Sequence, residues 1–190
     1  MKITRIEDLH ADAGWRVFSF LKIETDAGVV GYSEYNESYG SKGLTAVIQK
    51  LAETLIGQDP RPVEKITAQL YAMTRQAPGG MIQQAIAALE NALVDIKAKA
   101  LDIPRFELRG GPIRQRLRLY CSHCGTSRQP HAEVMGVPPM RGLEAVRALG
   151  AHVRDQQFTA LKTNIFLFDG GEPALHMPGF GRSPGGPELN

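Results

Sequence analysis

Val17, Ser19, Leu21 and Ile23 alternate with Phe18, Phe20, Lys22 and Glu24 in a period of two, the pattern of a strand with one face on a core. Upstream, residues 2–8 are short and mixed. Thr25-Asp26-Ala27-Gly28 supplies turn chemistry and residues 29–33 resume an extended pattern, so residues 1–35 predict an antiparallel meander.

The period then changes to that of helices, and three are predicted. In the first, Ser41 is the expected N-cap, Leu44, Val47, Ile48, Leu51 and Leu55 share a face, and Gly57 and Pro60 end it. The second has Pro60 or Pro62 in its first turn and a stripe of Val63, Ile66, Leu70 and Met73, and Pro78-Gly79-Gly80 breaks it. The third has the clearest periodicity, with Ile82, Ala85, Ile86, Leu89, Ala92, Leu93, Ile96 and Ala100. Its many alanines allow a neighbouring backbone to approach closely.

Gly110-Gly111-Pro112 punctuates the chain, and a domain boundary is placed there, giving residues 1–112 and 113–190. Beyond it, residues 117–122 read as a strand, residues 140–155 as a helix carrying Leu143, Val146 and Leu149, and residues 158–165 as a second strand. That order predicts a right-handed βαβ unit with parallel strands, and the Gly- and Pro-rich residues 168–190 predict loop.

The 190 residues are 43% hydrophobic and 22% charged, the make-up of a globular protein. A net charge of +2 gives no field that argues for nucleic acid or an anionic membrane, and neither is expected as a partner. Acidic residues interrupt the N-terminal stretch, and no apolar run approaches the roughly 20 residues of a bilayer span, so a cytoplasmic protein is expected. Two cysteines are too few for a disulfide framework and fit a reducing compartment. The basic run Arg105, Arg109, Arg114, Arg116 and Arg118 lacks interleaved aromatic residues, and a solvated loop is its simpler reading.

Residues 85–104 read Ala-Ile-Ala-Ala-Leu-Glu-Asn-Ala-Leu-Val-Asp-Ile-Lys-Ala-Lys-Ala-Leu-Asp-Ile-Pro, and Phe106-Glu107-Leu108-Arg109-Gly110-Gly111 follows. This small-residue helix with Asp-Ile-Lys-Ala-Lys and a Leu-x-Gly-Gly ending resembles the mandelate racemase/muconate lactonizing family of the enolase superfamily. Thr25-Asp26-Ala27-Gly28-Val29-Val30-Gly31 is similar to the family's meander, so the resemblance covers about residues 1–165. It implies an α+β capping domain, a three-stranded meander plus helical bundle, followed by a (β/α) TIM-type barrel. It also implies Mg²⁺ and removal of a proton next to a carboxylate.

By the same resemblance Lys162, in Ala160-Leu161-Lys162-Thr163-Asn164, matches the first lysine at the end of the second barrel strand and neutralises the substrate carboxylate. Asn164 stands where a second lysine often serves as base. An amide takes no proton at neutral pH, so the racemase or cycloisomerase reading loses ground. An acid-sugar dehydratase with its base elsewhere is the preferred reading. Residues 11–16 and 34–42 match the loops that close over the pocket in this family, which makes Trp15, Glu34, Tyr35 and Tyr39 candidates for substrate contact. A core position for Trp15 and surface packing for the tyrosines are the competing readings. His123 lies at the end of the first barrel strand, and His176 and Arg182 in the tail are further candidates, with strand-end packing and a solvated loop as their bland alternatives. Cys121-Ser122-His123-Cys124 offers too few ligands for zinc.

A complete barrel takes roughly 250 residues and eight strands, so this chain is expected to hold only the first βα units, without the family's magnesium ligands. Neither tight Mg²⁺ binding nor turnover by the chain alone is expected. The full-length form is expected to be a homo-oligomer acting on a small carboxylate. A non-catalytic capping or assembly module is the alternative. An open pair of parallel strands leaves apolar faces uncovered. Limited proteolysis is therefore predicted to trim the chain to about residues 1–112, and resistance of the whole chain would count against it.

Overall fold

The computed structural model describes residues 1–38, 41–122, 125–168 and 174–175, and the chain divides into two compact units, Met1–Ile113 and Arg114–Asn190. In the first, β1 (Ile3–Asp12), β2 (Val17–Thr25) and β3 (Val30–Tyr35) form an antiparallel sheet in that order. The Thr25 hydroxyl donates to the Val29 carbonyl at 2.8 Å and accepts from the Val29 amide at 3.1 Å, which closes the β2–β3 turn. Strand β1 is longer than its pattern suggests because Asp8, His10 and Asp12, opposite Leu21, Ser19 and Val17, put polar residues at inward positions.

Three helices follow, α1 (Leu44–Ala52), α2 (Val63–Met73) and α3 (Gly80–Ala100); α1 and α3 cover one face of the sheet and α2 packs on α3. Leu44, Ile48, Ile66, Leu70, Ile86, Leu89, Leu93 and Ile96 are buried against Ile3, Leu21 and Ile23. Ser41 is not the cap of α1. Gly43, at φ 90°, holds that position, and the Glu37 carboxylate accepts from the Gly43 and Thr45 amides, doing what the Ser41 hydroxyl was expected to do. Pro62 occupies the N-cap position of α2 without a side-chain capping bond, one residue before the first turn in which a proline was expected, and Met73 lies 56% exposed at its last turn, outside the expected stripe. Among the described residues no helix is long and apolar enough to cross a membrane.

In the second unit, the two predicted strands reduce to a single parallel bridge between Cys121 and Leu161. The Cys121 amide donates to the Ala160 carbonyl at 3.0 Å and the Lys162 amide to the Cys121 carbonyl at 2.9 Å. Leu117 and Leu119 are 72% and 69% exposed, and parallel strands pair extensively only when both faces are covered. Helix α4 (Arg128–Met135), which the sequence did not predict, precedes α5 (Gly142–Asp155). It buries no residue and is kinked at His131, so it leaves no apolar period to read. Leu149 and Val153 of α5 pack on Met140, whereas Leu143 faces out. Just before the segment expected to be loop, β4 (Phe166–Leu167) pairs antiparallel with β5 (Ala174–Leu175), which lies within it. The fold is thus an α+β cap followed by the first βα elements of a barrel-like arrangement.

Strand β3 lies unusually close to α3. A Cβ on Gly31 would stand 2.3 Å from the Ala92 carbonyl oxygen and 2.6 Å from Ile96 Cγ1. The Ser33 hydroxyl donates to the Ala88 carbonyl at 2.6 Å, one helical turn earlier. Gly31→Ala is therefore expected to destabilise the chain by about 1–3 kcal/mol through overpacking, read from urea unfolding. An unchanged midpoint would mean that strand and helix are not in this contact.

Candidate functional site

Two places carry polar side chains in arrangements that a simple core does not require, one in each unit. In the cap, the β1–β2 hairpin turns through Asp12, whose carboxylate accepts from the Gly14 amide at 2.8 Å. This presents Trp15 and Arg16. The Arg16 guanidinium lies 3.7 Å from the Phe18 ring centroid and 5.4 Å from that of Trp15, and it pairs with Glu34 at 3.0 Å. Its Nε is buried without a hydrogen-bond partner. Trp15 meets Phe18 edge-on at 5.9 Å.

Of the predicted cap residues, Trp15 and Glu34 therefore share the Arg16 cluster. Tyr35 does not join them, because adjacent strand residues face opposite sides of a sheet. It is buried, and its hydroxyl is 2.9 Å from that of Thr45. Burial pushes the Tyr35 phenol up. Tyr39, His123, His176 and Arg182 lie outside the described residues.

On the helix-facing side of the sheet, an open pocket of about 190 Å³ is lined by His10, Val17, Ser19, Glu37 and Ser38. His10 Nδ1 is 3.1 Å from the Ser19 hydroxyl and Nε2 is 2.9 Å from the Asp8 carboxylate, which accepts from Gln49 Nε2 at 2.5 Å. The order resembles a nucleophile relay, but Ser19 is only 2% exposed, and the chain of bonds ties β1 to β2 and α1. The Gln49 amide, helped by His10, lowers the Asp8 carboxyl against the opposing effect of burial. Glu37 also accepts from the Thr45 hydroxyl, which together with the two α1 amides lowers its carboxyl from 4.5. Ser38 donates to the Val17 carbonyl at 2.7 Å, so the segment after β3 is fastened both to α1 and to the hairpin.

In the second unit, Lys162 sits at the end of the parallel bridge. Its side chain is exposed, and its ammonium makes no ion pair or hydrogen bond among the described residues. The Asn164 amide donates to the Thr126 hydroxyl at 3.4 Å, joining the segments that follow the two bridged residues. Sequence reasoning missed Arg16, Glu37 and Thr126. The first had a signal, since Arg16 and Phe18 fall on one strand face, whereas the other two act through tertiary contacts.

Among the described residues no group of three or more His, Cys, Asp or Glu side chains stands together as a metal site. Several acids on the sheet and just after it are committed to other partners: Glu37 to α1, Asp8 to Gln49 and His10, Glu34 to Arg16, and Glu7 and Glu24 to Lys22. Cys121 is disulfide-bonded and offers no thiolate. The donor set described does not fit magnesium.

Residues 13–110 match the sequence model of the mandelate racemase/muconate lactonizing enzyme N-terminal domain, which is more than half of the chain. The chain belongs to that family. Its Asp95-Ile96-Lys97-Ala98-Lys99 stretch accordingly lies in the family's N-terminal domain. The chain is 40% identical over 120 residues to a D-galactonate dehydratase of Ralstonia nicotianae, a match covering 63% of this chain and 31% of that protein. It thus spans about a third of the length of the curated relatives it matches. A crystal structure from Burkholderia xenovorans strain LB400, provisionally named L-alanine-DL-glutamate epimerase, superposes with a TM-score of 0.88 at 42% identity, covering 93% of this chain and 44% of that one. A second structure of that name and strain, bound to magnesium and fumarate, gives 0.86 at 43% identity, covering 92% and 43%.

The capping role of Glu37 sets a pH dependence. Its folded pKa is depressed, as is that of Asp8, so both contribute stability that is present above the unfolded values and lost as pH falls through the folded ones. The melting temperature is expected to drop below about pH 4.5, and Glu37→Ala to cost about 1 kcal/mol at pH 7 while flattening that drop. A pH profile of Glu37→Ala parallel to that of the parent would remove Glu37 from this role.

Proposed function

We propose that this chain is part of an acid-sugar dehydratase in which Lys162 holds the substrate carboxylate. The observation that carries the reading is its 40% identity to a D-galactonate dehydratase over 120 residues. A proton α to a carboxylate is weakly acidic, and its removal leaves a doubly charged enediolate. A fixed cation beside the carboxylate lowers the energy of that charge. Loss of the β-hydroxyl as water then gives an enol, which becomes a 2-keto-3-deoxy acid. The general base and the magnesium ligands of this reading are assigned to elements other than those described.

The similarity to a structure provisionally named an epimerase supports a second reading. Epimerisation takes a proton from one face of the α-carbon and returns one to the other, so two basic groups must flank it. Asn164 supplies no base at its position, which favours dehydration, where a single base starts the reaction.

The test uses a protein carrying this chain together with the remaining barrel strands, incubated with magnesium and a panel of acid sugars in deuterated water. Formation of a 2-keto-3-deoxy acid is expected, with a loss of about 10²-fold or more in kcat/KM for Lys162→Ala. Deuterium exchange at the α-carbon without keto acid would replace the dehydratase reading with the epimerase one. For the chain by itself, calorimetry is expected to find no stoichiometric magnesium site, and finding one would overturn the assignment of the ligands elsewhere.

A further inference from the structure

We propose that Cys121 is a reversible thiol–disulfide site whose redox state sets how firmly the segment carrying Lys162 is held. Cys121 is disulfide-bonded, and the sequence carries one other cysteine, Cys124, which stands at Cys-x-x-Cys spacing and lies outside the described residues. A disulfide stabilises a fold most when it closes a long loop, and cysteines at this spacing close one of the shortest. Stability therefore gives little reason for the bond. The same spacing beside a parallel β-pairing is that of dithiol redox motifs, in which the bond opens and re-forms. The inference holds whichever reaction Lys162 serves.

The surroundings of Cys121 determine what the bond controls. Cys121 makes both backbone hydrogen bonds of the parallel bridge: its amide donates to the Ala160 carbonyl at 3.0 Å, and its carbonyl accepts from the Lys162 amide at 2.9 Å. Its side chain is half-buried against the cluster of Met140, Leu149 and Val153. Further along, Gly125 is buried so tightly that a Cβ there would stand 2.9 Å from Leu149 Cδ2 and 3.3 Å from Phe166 Cζ. Thr126 follows, and its hydroxyl accepts from the Asn164 amide at 3.4 Å. The short run after Cys121 is thus tied at both ends, at one to the Lys162 amide and at the other to the Asn164 amide. With Cys121 oxidised, the run can open little. With Cys121 reduced, it gains the freedom to carry Thr126 away from Asn164.

The step is thiol–disulfide exchange with a dithiol or with two molecules of a small thiol such as glutathione. The first thiol loses its proton and its thiolate attacks one sulfur of the protein disulfide. The S–S bond breaks, a mixed disulfide forms, and the released cysteine thiolate takes up that proton. The second thiol, deprotonated in turn, attacks the mixed disulfide and frees the other cysteine, which is protonated likewise. Two electrons and two protons have then passed to the protein, and the reductant leaves as a disulfide. Glutathione disulfide drives the same exchange in reverse. Half-buried Cys121 is open to such small reagents.

The 190-residue chain, equilibrated in mixtures of reduced and oxidised glutathione and quenched by alkylation, is expected to pass reversibly between an unlabelled and a doubly labelled monomer by intact mass. Hydrogen exchange at the Lys162 and Asn164 amides should be about tenfold or more faster in the reduced chain, while the amides of β2 exchange alike in both states. Cys124→Ser, which leaves Cys121 a thiol, should show the fast exchange without any reductant. If that variant fails to fold, the reduced parent carries the same comparison. A bond that glutathione does not reduce is a structural staple and overturns the proposal. So does exchange at Lys162 and Asn164 that is the same in both states, or a disulfide that forms between chains instead of within one.

Discussion

The close approach of β3 to α3 is the constraint from which the cap's architecture follows. It needs a residue without a side chain at Gly31, and alanines at 88 and 92 on the facing helix turn. Once the backbones are that near, the open edge of β3 lies within reach of α3 side chains. Asp95 takes the Tyr32 amide, and Lys99 takes both the Val30 carbonyl and the Asp95 carboxylate, the last at 2.8 Å. The Asp-Ile-Lys-Ala-Lys stretch that carried the family resemblance therefore has a mechanical role here. Its first and last residues satisfy backbone groups that an edge strand would otherwise leave to water or to another chain, and Ile96 between them is buried in the core.

That constraint also explains which parts of the fold were legible. The meander and three helices were readable because each buries one face against the next, so the periods of 2 and 3.6 are written in apolar residues. The second unit was less so. Its predicted strands have the right composition, but pairing beyond Cys121 and Leu161 needs neighbours, and composition is silent about those. Helix α4 escaped for the opposite reason, since it buries nothing. The start of α1 shows a further limit. Ser41 is a reasonable cap from sequence, but Gly43 holds the position and the carboxylate of Glu37, six residues before it, reaches forward to accept from its amide.

Candidate site residues divide along similar lines. Glu34 and Tyr35 are adjacent in sequence and look like one cluster, yet the pleat sends one to solvent beside Arg16 and the other into the core against Thr45. Loop membership alone does not show which way a side chain points, but strand parity does, and the alternation in β2 extends it to β3. Glu37, Asp8, Glu34, Glu7 and Glu24 each tie one element or loop of the cap to another or to its own strand. The cap is built to hold loops in place.

Lys162 presents the contrasting case, a cation without a partner among the described residues. Two unit charges 4 Å apart are worth about 1 kcal/mol in water and about 4 kcal/mol at the effective dielectric of a protein surface. Enzymes lower their barriers by at least about 8 kcal/mol, so an exposed ammonium by itself is a minor contributor. Its value in the proposed role depends on being enclosed: the same lysine would gain severalfold if walls excluded water around a carboxylate beside it. The Asn164 amide bonded to Thr126 acts in that direction, because it fixes the backbone two residues beyond Lys162 to the segment after the first bridged residue. On the proposed reading, the hold of Lys162 on a carboxylate is thus set less by the identity of the lysine than by how far water is excluded around it.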